Sequence, residues 1–86
     1  MAYNRLEVAS MIRHVGSIRK LAPYVGQSES SMAAQHAAAI TFFQIALKLT
    51  QPNNLSVSDA DFARTEIARH QRAMQLMLDD VQVMSR

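Results

Sequence analysis

Ser30-Ser-Met-Ala-Ala-Gln-His-Ala-Ala-Ala-Ile-Thr-Phe-Phe-Gln-Ile-Ala-Leu47 is a run of eighteen residues without a formal charge, in a chain of 86. Wound at 3.6 residues per turn, it carries two apolar faces, His36/Ile40/Phe43/Leu47 and Ala38/Phe42/Ile45/Leu49, beside one thin polar seam, Thr41/Gln44/Lys48/Gln51. A helix apolar over most of its circumference has to be covered on two sides, by its own chain or by other chains. Ala33, Ala34, Ala37, Ala38 and Ala39 surround its first two turns with small side chains. Such a surface lets another helix approach closely, while alanine is also simply the best helix former.

The run meets the lower length limit of a membrane span, but its content argues against one. Gln35, His36, Thr41 and Gln44 would lie in hydrocarbon, six of the residues are alanine, and no basic cluster or aromatic belt flanks the segment. A buried helix of a small bundle is the simpler reading. The first residues, Met1-Ala-Tyr-Asn-Arg-Leu-Glu7, lack the charged region and apolar run of a signal peptide, so the expected location is cytoplasmic. The absence of cysteine removes disulfides and thiolate metal sites.

Outward from the run, two glycines and two prolines divide the chain into three helical blocks, with breaks near Pro23 to Gln27 and at Gln51 to Asn54. In the first block Val8, Met11, Val15 and Ile18 recur at spacings of three and four, while Arg5, Arg13 and Arg19 point elsewhere. Gly16 lies inside this block and weakens it by about 1 kcal/mol relative to alanine. The third block opens on Leu55-Ser-Val-Ser-Asp-Ala-Asp-Phe62, where Ser58 is the expected cap and Asp59 and Asp61 meet the positive end of the helix. From there an unbroken heptad follows: Ala60, Ala63, Ile67, His70, Met74, Met77, Val81 and Met84. Past Met74 the added Leu76, Leu78 and Val83 make the apolar arc too wide for one contact. Asp79 and Asp80 lie where the helix dipole disfavours them; they gain from a cationic partner or stand solvated on the outer face.

The expected architecture is therefore all-α: one domain over 1–86, a small three-helix bundle with helices at about 4–22, 29–50 and 58–84, and a largely buried, alanine-rich central helix. A chain of this length buries only a small core, and partners often complete such folds.

Chemistry has few footholds. No glycine-rich phosphate loop, Gly-x-Ser-x-Gly elbow or His/Cys arrangement is present. His14, His36 and His70 stand far apart in sequence, without the pairing that helical zinc sites use, so no metal and no cofactor is expected. His70 alone falls within the heptad, with Glu66 one turn earlier able to hold it. A lone polar core residue more often specifies register or partner than catalyses. The chain is expected not to be an enzyme.

Charge is uneven: the first 26 residues carry Arg5, Arg13, Arg19 and Lys20 against Glu7, whereas the last 31 carry five acids and four arginines. A net charge of +2 gives no concentrated basic face for nucleic acid, but opposed termini suit head-to-tail contacts between copies. One segment, Ile18-Arg-Lys-Leu-Ala-Pro-Tyr-Val-Gly-Gln-Ser-Glu-Ser-Ser-Met32, resembles the helix-turn-helix of small bacterial and phage repressors at Leu21, Ala22, Val25, Gly26, Ser28 and Met32. Pro23 and Gln35 depart from that pattern. The resemblance implies a turn at Gly26, a recognition helix capped by Ser28, and nucleic-acid contacts through Arg19, Lys20, Ser28, Ser30, Ser31 and Gln35. The ordinary reading is a loop from Pro23 to Gln27 leading to Ser28 or Ser30 as the cap of the central helix, with Tyr24 and Val25 tucked against the bundle.

The favoured function is a protein–protein interaction module that binds itself or another protein through the C-terminal helix, with Met74, Met77, Leu78, Val81 and Met84 as anchors. A small phage- or plasmid-type DNA-binding protein and a subunit of a helical filament or secretion apparatus are the alternatives.

Overall fold

The computed structural model describes residues 3–49 and 56–84, and they fold as an all-α protein. α1 spans Arg5–Val15, α2 Ile18–Leu21, α3 Met32–Lys48 and α4 Val57–Met84, with a short 3-10 turn at Ala22–Tyr24 after α2. The break expected at Gln51 to Asn54 lies outside the described residues.

Local chemistry explains each start and stop. Asn4 caps α1 by accepting a hydrogen bond from the Glu7 amide at 2.8 Å. The single helix expected over 4–22 is instead two, because Gly16 adopts φ 85° and closes α1, its amide donating to the Ile12 carbonyl. Ser17 then caps α2 through the Arg19 amide. Gly16 is thus a helix terminator, not a weak point within a helix. Ser31, not Ser28 or Ser30, caps α3, accepting from the Ala34 amide at 3.1 Å. The cap of α4 is likewise Ser56, which accepts from the Asp59 amide at 3.1 Å. Ser58, the expected cap, already lies within the helix, and its hydroxyl accepts from Arg19.

The core gathers Val8 of α1, Ile18 and Leu21 of α2, Ala39, Phe42, Phe43 and Ala46 of α3, and Ala63 of α4. An edge-to-face aromatic series threads it. Tyr3 meets Phe42 at 5.4 Å between ring centres, Phe42 meets Phe43 at 5.3 Å, and Phe43 meets Phe62 at 6.1 Å. Both faces expected for the central run are engaged: Phe43 turns to α4 and Phe42 to the N-terminal segment. Gln44 and Lys48 of the polar seam are exposed, and so are Ala33 and Ala37 on the first turns.

The molecule measures 48 × 23 × 18 Å. Its long dimension belongs to α4, whose 28 residues rise about 42 Å at 1.5 Å per residue. α3, with 17 residues, covers about 26 Å of it by the same rise.

Arg19 ties α2 to the start of α4. Its guanidinium donates to the Ser58 hydroxyl at 3.0 Å, lies 3.8 Å from the Asp59 carboxylate and sits 4.7 Å above the Phe62 ring. The Arg19 side chain is 54% exposed, and in such a setting an ion pair and a cation–π contact each contribute about 1 kcal/mol. Arg19→Ala is expected to lower stability by about 1 kcal/mol, with most of that loss already gone in 1 M salt for the ionic part. Urea unfolding at low and high salt measures it.

Candidate functional site

Two places carry chemistry or apolar surface beyond what the core uses. The first is the far end of α4. His36 of α3 meets His70 of α4, and α3 begins only one turn earlier, at Met32, so the covering helix ends about level with Met74. The heptad seam follows this geometry. Ala60 and Ala63 are buried, Ile67, His70, Met74 and Met77 are half-buried, and Val81 is 62% exposed. Leu76 and Leu78 are each 56% exposed beside it. Of the five anchors read from the sequence, Leu78 and Val81 are therefore open and Met74 and Met77 partly covered; the Met84 side chain lies outside the described burial. The Asp79 carboxylate accepts from the Gln75 amide at 3.1 Å on the same stretch. Leu6, Tyr24 and Met32, none of them expected as an anchor, are also exposed. Tyr24, expected against the bundle, stands 69% in solvent because the turn at Pro23 directs it outward, whereas Val25 does pack on the core.

The second place is a half-buried polar cluster between α3 and α4. The Nδ1 atoms of His36 and His70 lie 2.8 Å apart. On its other side His70 places Nε2 3.4 Å from the Glu66 carboxylate, and Arg69 holds the same carboxylate at 2.6 Å. Phe43 stacks on the His70 ring at 6.3 Å with a 19° tilt. Only 16% of the His70 side chain and 13% of the Glu66 side chain reach solvent. Burial, first, and then the Arg69 and His36 charges disfavour the His70 cation, so its pKa falls below the ordinary 6.5 although Glu66 opposes the shift. Glu66 does hold His70, one turn apart on α4, as the spacing suggested. The contact with His36 does not follow from local spacing, since the two residues are 34 positions apart in sequence. A signal for it existed: each lies on an apolar stripe, and each is seventeen positions from residue 53, the middle of the expected α3–α4 break.

The helix-turn-helix residues are not brought into a recognition helix. Gly26 does make a turn, with φ 85°, but Ser28 and Ser30 lie in the non-helical segment before Met32. Ser31 is spent on the α3 cap. The Gln35 side chain is half-buried and donates to the Glu29 carbonyl at 3.4 Å. Arg19 is turned to α4, and only Lys20 projects freely from α2. The physical reason is Pro23 together with the serine-rich stretch that follows, which favours turns over helix until Ser31.

Among the described residues no group of three or more His, Asp or Glu converges as a metal site, and no helix is long and apolar enough to cross a membrane. No protein-family model, curated protein or solved structure matches the chain.

Proposed function

We propose that this chain is a non-enzymatic helical module that assembles with a second copy of itself through the last ten residues of α4. The observation that carries this reading is the overhang: α4 continues past the end of α3 with Leu76, Leu78 and Val81 more than half exposed. Three large aliphatic side chains along a protruding helix favour burial against another apolar surface. Met74 and Met77, at the border of the covered part, are unbranched and adapt to such a surface. Asp79 and Asp80 next to them complement the basic N-terminal third, which supports a head-to-tail arrangement of copies.

The engagement of His70 supports the non-enzymatic part, since both of its nitrogens have protein partners and Phe43 covers a ring face. The finer architecture we infer is a bundle of three packing units in the order α1 with α2, then α3, then α4, with α2 also reaching the start of α4. The aromatic series from Tyr3 through Phe42 and Phe43 to Phe62 supports that order. A cytoplasmic setting suits a chain without cysteine.

Light scattering after size exclusion, at two protein concentrations, tests the assembly. A mass of twice the chain or more is expected, reduced to the monomer in Val81→Asp with the helical circular dichroism retained. A monomer at both concentrations, or a Val81→Asp protein that still assembles, overturns the reading.

A further inference from the structure

We propose that the His36–His70 pair is a proton-operated clasp that holds the start of α3 on α4 near neutral pH and lets go when both imidazoles become cations. The proposal is independent of the assembly reading. Two facing Nδ1 atoms at 2.8 Å share one proton: one nitrogen donates and the other accepts. A neutral His70 that turns its Nε2–H to the Glu66 carboxylate, 3.4 Å away, has its Nδ1 lone pair free to accept from a His36 Nδ1–H. A first added proton can be taken on the remaining nitrogen of His36 without breaking this bond. A second turns the contact into two N–H groups and two positive charges face to face, and the bond cannot survive it.

Metal chelation is the competing use of two such nitrogens, and ring geometry decides between them. Lone pairs converging on a metal at about 2.05 Å, with the nitrogens 2.8 Å apart, bring the ring centres to about 4.4 Å of one another. Rings pointing head-on along a hydrogen bond hold their centres at about 5.1 Å. The observed separation is 5.0 Å.

The surroundings make the second proton hard to accept and its effect local. The groups acting on His70 are Arg69 and Glu66 from α4 and His36 from α3; Arg69 and His36 oppose its charging and Glu66 favours it. The rest of the stretch from 30 to 47 brings no formal charge to the interface. Because the folded pKa of His70 lies below 6.5, an unfolded or opened chain binds the proton more readily. Stability is therefore full above about pH 6.5 and is lost progressively as pH falls below it. The interval from 7.5 to 5.5 brackets the reference histidine pKa of about 6.5.

The test combines unfolding with nitrogen-15 NMR on the intact chain. From pH 7.5 to 5.5 the urea-unfolding equilibrium constant is expected to rise, with about tenfold as the ceiling for a single histidine. His70→Gln should reduce that rise to less than about twofold, and His14→Gln, altering an exposed histidine away from the pair, should leave it intact. A through-hydrogen-bond nitrogen–nitrogen coupling between His36 and His70 should be present at pH 7.5 and gone at 5.5. An unfolding constant that does not change with pH, a rise that persists in His70→Gln, or a coupling absent at pH 7.5 or retained at 5.5 overturns the clasp. If His70→Gln does not fold, the coupling in the unaltered chain decides alone.

Discussion

Phe42→Ala should lower the stability of the protein by about 3–5 kcal/mol, about a quarter or more of what a domain of this length commonly has. Phe42 is fully buried and joins two of the edge-to-face contacts in the core, one to Tyr3 and one to Phe43. Truncating a buried phenylalanine costs about 3–5 kcal/mol, because transfer energy is lost and a cavity remains. A domain of 86 residues has a total stability of about 4–13 kcal/mol at the usual figure per residue. The neighbours of Phe42 cannot readily close the gap. Ala39 and Ala46 beside it on α3 are already as small as a side chain can be, and Tyr3 is tethered through its hydroxyl to the Gly26 amide at 3.3 Å. Leu6→Ala is the fitting contrast: Leu6 is equally apolar but 81% exposed, so a change within about 0.5 kcal/mol is expected. Circular dichroism during urea unfolding measures both. A Phe42→Ala protein that unfolds within about 1 kcal/mol of the parent would mean that the aromatic series does not hold the two sides of α3 together.

The same residues show how far the sequence carries. Phe42 and Phe43 could be placed in the core from the uncharged run, because helical periodicity alone assigns them to its two apolar faces. The heptad likewise located Ala60 and Ala63 in the covered part of α4. Errors gathered at helix ends, where a single side chain decides between neighbouring caps. Ser28, Ser30 and Ser31 differ only in which hydroxyl meets an amide three residues on, as do Ser56 and Ser58, and that geometry depends on where the preceding loop has been set by packing. Helix propensity alone makes Gly16 a weakness, because it treats glycine as a poor helix residue; its positive φ follows from the chain having to turn between Val8 and Ile18 so that both enter one core. The His36–His70 contact escaped for a different reason. It is a tertiary pairing fixed by the register of two antiparallel helices, and each histidine on its own carried only the pattern of an apolar stripe.

Gly26→Ala and Gly16→Ala should differ in effect although both glycines hold φ 85°. Forcing an alanine into the left-handed region costs about 1–2 kcal/mol at either site. At Gly16 nothing lies within 4 Å of the added carbon, so the strain is the whole penalty. At Gly26 the new methyl would stand 2.6 Å from the Gln35 carbonyl oxygen and 3.2 Å from its Cα. Both are backbone atoms in the first turns of α3, and they cannot swing aside as a side-chain tip would. Either the loop lifts from α3, which also strains the Tyr3 hydrogen bond to the Gly26 amide, or the start of α3 shifts away. Overpacking of this kind adds about 1–3 kcal/mol, for an expected total of about 2–5 kcal/mol at Gly26. Urea unfolding of the two variants separates the terms, since the difference between them isolates the contact from the backbone strain. Hydrogen exchange should also locate the damage, with amides of the first turns of α3 losing protection in Gly26→Ala while those of α4 near Ala63 keep theirs. Equal destabilisation of the two variants would mean that the loop rests on α3 too loosely for a methyl group to matter, and the close approach of Gly26 to Gln35 would then play no part in fixing where α3 begins.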